Sequence, residues 1–327
     1  MAPGRQTRRG LHQPGRGWII GRLALPALFS PVPGSRWRQP LRRFGRPARL
    51  AALLLSLLLL LPLAPRAWAS PAWLVGTDPT YAPFEMEDGA SGELTGFDVE
   101  LIRRVARSQG HTVRFVPLPF DGLIPALQAG KLDMAISAMT ITAGRAENVD
   151  FSRPYFAAGL GVVVRRDGPS IPTLEALAGH RVAVQIGSTG ALAVARVKGA
   201  KVSTFNAAPL ALQELLNGNV DAYVNDLPAT LYAIQQRGLS ELRISSRPLT
   251  SDLYGIAFPQ GSPLRAQVDR GLADVMANGQ LDRLHRRWFQ RPAEPLPAVA
   301  PALQAKATAT GLDWDLLVRN LLNGALI

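Results

Sequence analysis

Short apolar segments alternate with amphipathic ones from residue 72 onward, and this alternation limits the chain to few folds. Trp73–Thr77 has the composition of a buried strand, and residues 97–105 place their apolar side chains on one helical face that ends before Gly110. Strand-like segments follow at 112–116 and 132–137. Such alternation is typical of an α/β fold, in which helices cover a mainly parallel sheet.

The alternation restarts after residue 180. Arg181–Gln185 is strand-like, a turn with two glycines follows at 187–190, and a further strand is predicted at 220–224. A helix is predicted late in the chain, at 263–278. Two such series indicate two lobes.

The charge of the chain is distributed unevenly. A formal net charge of +12 would suggest a nucleic-acid-binding protein, but residues 1–69 contain twelve arginines and no acidic residue. The remaining 24 of the 36 Lys and Arg residues balance 24 Asp and Glu over residues 70–327. We therefore expect no nucleic-acid partner.

The N-terminal segment has the pattern of an export signal. An arginine-rich stretch at 42–49 precedes an apolar run at 50–63, and Ala67 and Ala69 supply small residues for cleavage before Ser70. The apolar run of about 14 residues is shorter than the roughly 20 that span a membrane; a buried core helix is the alternative. We predict that residues 1–69 are a leader and signal peptide, cleaved after Ala69, and that the mature protein is periplasmic. The long leader also allows a start codon downstream of Met1.

Motifs of common enzymes and metal sites are absent from the sequence. It contains no phosphate-binding loop, no dinucleotide-binding glycine motif and no nucleophile elbow. It also has no cysteine, and its four histidines lack the spacing of metal ligands. We expect neither a cofactor nor a metal.

Three groups of segments carry a recognisable pattern. The first comprises Gly76–Glu85 and Gly96–Leu101; the second comprises Phe120–Leu127, Ile136–Arg145 and Val149–Ser152; the third comprises Val184–Gly190, Val224–Asp226 and Tyr254–Pro259. In this order they resemble the polar amino-acid-binding proteins of bacterial ABC importers (solute-binding protein family 3), such as the glutamine and lysine/arginine/ornithine receptors. The resemblance covers residues 72–290.

The resemblance implies a two-lobed periplasmic binding protein fold of type II with two hinge crossovers. The domain would occupy residues 70–291, with lobe one at 72–160 and 253–290 and lobe two at 164–250. The two crossing strands are expected near 161–164 and 251–255. A ligand that bridges both lobes would favour the closed form.

A pair of opposite charges is the centre of the implied site. Arg145 offers a planar guanidinium that suits a carboxylate, and the resemblance assigns it the ligand's α-carboxylate. Asp226 directly follows an apolar strand and matches the aspartate that pairs with the α-ammonium. The alternatives are a surface arginine for Arg145 and a helix N-cap for Asp226.

Five further residues would contact the amino-acid backbone of the ligand. By resemblance, Thr140 and Thr189 donate to the carboxylate, and the backbone carbonyls of Ser137 and Ala138 accept from the ammonium. Ser188 lies in a glycine-containing turn whose N–H groups can face an anion, although such turns are common for structural reasons alone.

Four residues would select the ligand's side chain. Tyr81 and Phe120 match an aromatic pair that sandwiches this side chain. Asp78 could accept from an amide or pair with a cation. Gln185 stands where the glutamine receptor has a lysine and the basic receptor a leucine, so polar, acidic and basic ligands all remain open.

The implied function is an extracytoplasmic receptor, not an enzyme, that binds a free polar L-amino acid and delivers it to an ABC permease in the inner membrane. It would be a monomer in solution unless fused to the permease. The alternatives on the same scaffold are a periplasmic dehydratase or lyase and a sensor input module.

The C-terminal region changes composition. Prolines at 292–301 predict a linker over 292–311. Residues 312–327 form an apolar tail that resembles the start of an ABC permease, which suggests a receptor–permease fusion cut short; a mobile tail is the alternative.

Overall fold

The computed structural model of the protein describes residues 72–236 and 238–304. The leader, its cleavage site and the apolar tail at 312–327 lie outside the described residues, as does the end of the predicted linker. Within the described part of the chain, no helix is long and apolar enough to cross a membrane.

The described residues form fifteen strands, eight α-helices with the bounds below, a 3-10 helix at Glu175–Leu177 and a helical segment at 301–304. The strands are β1 (Trp73–Thr77), β2 (Thr80–Tyr81), β3 (Glu85–Glu87), β4 (Leu94–Thr95), β5 (Val113–Pro117), β6 (Met134–Ala135), β7 (Asp150–Phe151), β8 (Phe156–Ala158), β9 (Leu160–Arg165), β10 (Arg181–Gln185), β11 (Lys201–Phe205), β12 (Ala222–Asp226), β13 (Leu242–Ile244), β14 (Asp252–Tyr254) and β15 (Ala257–Phe258). The helices are α1 (Phe97–Ser108), α2 (Phe120–Gln128), α3 (Ala143–Ala146), α4 (Thr189–Ala195), α5 (Ala208–Leu216), α6 (Leu227–Gln236), α7 (Leu264–Ala277) and α8 (Gln280–Phe289).

Two five-stranded sheets organise the two lobes. The first has the order β5-β1-β6-β15-β7, in which β1 is parallel to β5 and β6, and β15 is antiparallel to its neighbours. The second has the order β11-β10-β12-β9-β13, in which β10 is parallel to β11 and β12, and β9 is antiparallel to its neighbours. The fold is α/β with the topology of a type II periplasmic binding protein, as the sequence predicts.

Successive residues of the central strands pack in different cores, because successive side chains point to opposite faces of a sheet. In β6, Met134 packs in the core that contains α1, α7 and α8, and Ala135 packs in the core that contains α2. Val162 and Val163 of β9 divide in the same way between the two cores of the second sheet. Each sheet is therefore buried on both faces.

The connection between the lobes is a two-stranded antiparallel ladder of β8 and β14. β9 joins the second sheet from Leu160 onward, so this lobe begins earlier than the predicted residue 164. A Cβ on Gly159 would lie 2.3 Å from the carbonyl oxygen of Thr250, which shows how closely the two crossing segments approach.

Residues 292–304 pack against the first lobe. The backbone N–H of Ala293 donates to Asp282 Oδ1 of α8 (3.0 Å), and Leu296 lies against the core that contains α1. Ala300 is 2% exposed in the core on the other face of the sheet, where Leu303 also packs. This part of the predicted linker is therefore held to the first lobe.

Candidate functional site

A single cleft between the lobes collects every candidate site residue. Its walls include the eleven residues singled out from the sequence: Asp78, Tyr81, Phe120, Ser137, Ala138, Thr140, Arg145, Gln185, Ser188, Thr189 and Asp226. Leu160, Gly190 and Asn225 complete the lining. The empty space between these walls, including the open mouth, is about 360 Å³.

Arg145 reaches the cleft from the short helix α3. Thr142 caps this helix by accepting from the Arg145 backbone N–H (3.2 Å). The guanidinium donates to the Thr140 carbonyl (Nη1, 2.7 Å) and, across the cleft, to the Gly187 carbonyl (Nη2, 3.0 Å). Burial lowers the pKa of Arg145 to about 10, and the charge of Asp226 opposes this shift. Arg145 is thus a buried cation at neutral pH, not a surface arginine.

Asp226 is the last residue of β12 and lies buried on the opposite lobe. Its Oδ2 accepts from the hydroxyls of Tyr254 (2.7 Å) and Tyr81 (3.1 Å). Its Oδ1 is buried and has no partner among the described residues. Burial raises the pKa of Asp226 to about 6, and the hydrogen bond from Tyr254 counteracts this rise. Most of this carboxyl group is therefore ionised at neutral pH.

The turn after β6 forms another part of the cleft wall. Ala138 has a left-handed backbone (φ 45°), which costs a non-glycine residue about 1–2 kcal/mol. Its N–H donates to Asp98 Oδ2 (2.8 Å), and the neighbouring Ser137 hydroxyl donates to Glu85 Oε1 (2.8 Å). Ser137 and Ala138 therefore turn away from the sheet, which explains why β6 ends at Ala135 instead of the predicted residue 137.

The turn at 187–190 brings the second lobe close to the first. A Cβ on Gly187 would lie 3.1 Å from the Asp121 Cβ of α2, and Gly187 has a positive φ of 73°. Ser188 caps α4 by accepting from the Ala191 N–H (3.0 Å), so its hydroxyl has a local structural role. Thr189 follows it in the cleft lining.

Asp78 and Gln185 meet across the cleft. Gln185 Nε2 donates to Asp78 Oδ2 (3.1 Å), whereas Asp78 Oδ1 accepts from the hydroxyl of Thr80 (2.7 Å). Asp78 is 3% exposed, and no salt bridge links it to any Lys or Arg of the described chain. A carboxylate that is buried without a cation beside it is stabilised when a positively charged group comes close to it.

Several hydrogen bonds therefore cross between the lobes. Besides those of Arg145 and Gln185, the Tyr81 hydroxyl donates to Asn225 Oδ1 (3.1 Å) as well as to Asp226. These contacts require that the lobes are closed. The cation Arg145 and the anion Asp226 lie on opposite walls of this closed cleft, an arrangement that suits a zwitterion.

Two residues of this arrangement were not singled out from the sequence. Tyr254 lies on hinge strand β14, and Asn225 directly precedes Asp226. Both lie inside sequence segments that resemble the family, so the resemblance could have identified them as site residues. In the described ranges no group of three or more acidic or histidine side chains is arranged to hold a metal.

Comparisons with known proteins define the class of protein. The family model for bacterial extracellular solute-binding proteins, family 3, matches residues 74–291. This chain belongs to that family: it is an extracytoplasmic binding protein and not an enzyme.

Individual relatives agree with this class. The histidine-binding periplasmic protein of Salmonella typhimurium is 31% identical over 250 residues, 73% of this chain and 96% of that protein. The L-cystine-binding protein TcyJ of Escherichia coli K12 is 30% identical over 219 residues, 66% of this chain and 82% of that protein. The crystal structure of the arginine-, lysine-, histidine-binding protein ArtJ of Geobacillus stearothermophilus has a TM-score of 0.65 and 33% identity, covering 68% of this chain and 97% of that one.

Proposed function

We propose that this protein captures one free L-amino acid with a positively charged side chain and delivers it to an ABC permease in the inner membrane. The observation that carries the proposal is the pair Arg145 and Asp226, which face one closed cleft from opposite lobes. The unpartnered Oδ1 of Asp226 offers a buried acceptor for the ligand's ammonium group.

The α-carboxylate is assigned to the wall that contains Arg145. Two N–H groups of its guanidinium hold backbone carbonyls, and the others remain for a ligand anion. The hydroxyls of Thr140 and Thr189, which line the same cleft, can also donate to it. Hydrogen bonds to charged groups contribute about 1.5–3 kcal/mol each, so this wall can supply most of the backbone recognition.

The α-ammonium is assigned to Asp226 together with the carbonyls of Ser137 and Ala138. An ammonium group has three donors and no acceptor, which three separate oxygen acceptors can satisfy. Tyr81 and Tyr254 hold Asp226 Oδ2, so the carboxylate is already oriented before a ligand arrives. Such preorganisation reduces the cost of binding.

The preference for a cation follows from the charges of the cleft lining. Asp78 and Asp226 are anionic and Arg145 is cationic, which leaves one negative charge beside a ligand backbone that is itself neutral. A cationic side chain near Asp78 would neutralise it, and the ring of Phe120 would offer an additional cation–π surface. The relatives that bind histidine, arginine or lysine support this class, whereas TcyJ binds cystine, whose side chain carries one ammonium and one carboxylate group.

The proposal includes the partner and the route of export. Residues 1–69 serve as the leader, cleaved after Ala69, and the mature receptor is a periplasmic monomer that docks on its permease in the closed form. The periplasmic relatives support this location.

The test is a thermal-shift panel of the twenty amino acids on protein purified from the periplasm. A ligand at about 100 times its Kd should add roughly 2.7 kcal/mol of stability. Arginine, lysine or histidine should give the largest shifts. If only acidic or aliphatic amino acids stabilise the protein, the proposed side-chain class is wrong; if no amino acid does, the receptor proposal fails.

A further inference from the structure

Two acidic side chains lie fully buried behind the cleft wall. Glu85 belongs to β3, and Asp98 lies in the first turn of α1. The charge of Asp98 contributes to a raised pKa of Glu85, so the two carboxyl groups are close neighbours. Because a carboxylate is only an acceptor, a hydrogen bond between two carboxyl groups requires a proton on one of them.

The other oxygens of the pair are engaged by the turn after β6. Asp98 Oδ2 accepts from the N–H of Ala138 (2.8 Å) and the hydroxyl of Tyr155 (2.7 Å). Glu85 Oε1 accepts from the Ser137 hydroxyl (2.8 Å). Glu85 Oε2 and Asp98 Oδ1 are buried and have no hydrogen-bond partner among the described residues, and one proton shared between them would satisfy both.

These contacts control a strained part of the cleft. The left-handed conformation of Ala138 is unfavourable for a residue with a Cβ, so it persists only when its surroundings hold it. The Ser137 hydroxyl, oriented by Glu85, also accepts from the backbone N–H of Asp78 (3.1 Å). The acid pair thus supports two segments of the cleft lining at once.

We propose that Glu85 and Asp98 are positioning residues that share one proton and hold the Ser137–Ala138 turn so that its carbonyl groups face the ligand's ammonium. This inference rests on the proposed function, because the proposed function assigns the ammonium to that turn. Neither residue lines the cleft.

The surroundings of the pair favour a retained proton. Burial raises the pKa of Glu85 well above its usual range, and the charge of Asp98 adds to this rise; burial likewise raises the pKa of Asp98. The charge of Asp78 acts on Glu85 in the same direction. Tyr155 faces Asp98, and His285, whose ring lies 5.0 Å from the adjacent Phe97, stays neutral because burial lowers its pKa to about 4.

The sign of the pH dependence follows from these raised values. The stabilisation from the protonated pair is complete below the ordinary carboxyl pKa. It is lost as the pH rises through the raised pKa values that the two groups have in the folded protein. We therefore expect the turn to loosen on the alkaline side, when both carboxylates are charged and repel each other.

The shared proton can be detected without a ligand. Infrared spectroscopy of the purified protein at neutral pH should show the carbonyl stretch of a protonated carboxyl group. Glu85→Gln should remove this band, whereas the matched control Glu87→Gln, on the exposed end of the same strand, should keep it. A wild-type spectrum without the band, or a band that survives Glu85→Gln, overturns the proposal.

The positioning role is tested by rescue. Glu85→Leu should weaken amino-acid binding about tenfold or more, because it removes the acceptor of the Ser137 hydroxyl and the proposed hydrogen bond to Asp98. Glu85→Gln should restore most of this loss, since its amide can donate to Asp98 without a titratable proton. Equal affinities of the two variants would overturn the proposal.

The pH profile provides a second readout if Glu85→Leu fails to fold. Wild-type affinity should fall more steeply on the alkaline side than that of Glu85→Gln. The ligand's ammonium titrates equally in both proteins, so the difference belongs to the pair. Identical profiles contradict the proposal, whereas a wild-type protein that binds no amino acid refutes the proposed function and leaves the infrared band to decide this inference.

Discussion

The hydroxyl of Tyr254 donates a 2.7 Å hydrogen bond to Oδ2 of Asp226, which joins hinge strand β14 to the end of β12 in the second lobe. The hydroxyl of Tyr81 in the first lobe donates to the same oxygen. The hinge and both lobes therefore converge on one carboxylate. Its other oxygen remains available to the cleft, which couples ligand recognition to the geometry of closure.

Tyr254→Phe should weaken amino-acid binding by about 10-fold to 100-fold, since a hydrogen bond to a charged group contributes roughly 1.5–3 kcal/mol. The ring stays in place, so the fold should be little affected. Isothermal titration calorimetry measures the loss. Tyr232→Phe, outside the cleft lining, is the matched control; an equal effect of both variants would contradict the role of Tyr254.

Arg145→Ala should reduce affinity by at least about 100-fold, because it removes the buried cation opposite Asp226 and the contact to Gly187. Arg145→Lys should recover only part of this loss, since an ammonium lacks the planar fork. The exposed Arg196→Ala serves as the control in the same titration. If Arg145→Lys binds as well as the wild type, bidentate recognition of the carboxylate is wrong.

Acidification should weaken binding as the pH falls through about 6, the raised pKa of Asp226. A protonated Asp226 no longer offers an anion to the ligand's ammonium, whereas it is ionised above this pH. Titrations between pH 5 and pH 8, chosen to bracket that value by about one unit or more, should show this loss in the wild type. Asp226→Asn should bind weakly at every pH; an acid-side loss that persists in this variant would assign it to another group.

Asp78→Asn should reduce affinity for arginine and lysine by about tenfold or more and should change affinity for neutral polar amino acids much less. The amide keeps the size of the side chain and can still accept from Thr80, but it removes the buried negative charge. Competition binding with one cationic and one neutral amino acid checks this selectivity. A uniform loss for both would show that Asp78 supports the cleft without selecting charge.

Ala300→Asp should lower the free energy of unfolding by about 1–3 kcal/mol, because Ala300 is 2% exposed in the core of the first lobe and an unpaired charge is costly there. Ala298→Asp, two residues earlier and exposed, should have little effect. Urea denaturation of both variants makes the comparison. Equal stability would mean that residues 292–304 do not hold to the lobe in solution.

The sequence predicted what local patterns encode. The period of apolar residues located the strand at Arg181–Gln185 with its observed bounds, and the motif segments supplied eleven of the residues that line the cleft. Prolines predicted a linker after residue 291 because proline content reports stiffness, whereas the packing of Ala300 depends on the distant core that receives it.

Long-range contacts could not be read in the same way. Tyr254 reaches Asp226 only through the pairing of β14 with β8 and the closure of the lobes. The early end of β6 depends on Asp98 of α1, which accepts a hydrogen bond from the Ala138 N–H. A single sequence holds no local signal for either contact.

Recognition of the ligand by Arg145 and Asp226 is tested most directly by calorimetric titration. The ligands are the tightest-binding amino acid of the panel and its two analogues, one without the α-carboxylate and one without the α-ammonium. The wild type should bind both analogues at least about 100-fold more weakly than the parent amino acid. In Arg145→Ala, the difference in affinity between the parent and the analogue without a carboxylate should shrink sharply, since only the hydroxyls of Thr140 and Thr189 remain for that carboxylate. Wild-type protein that binds the decarboxylated analogue as tightly as the parent would contradict recognition by Arg145 and Asp226.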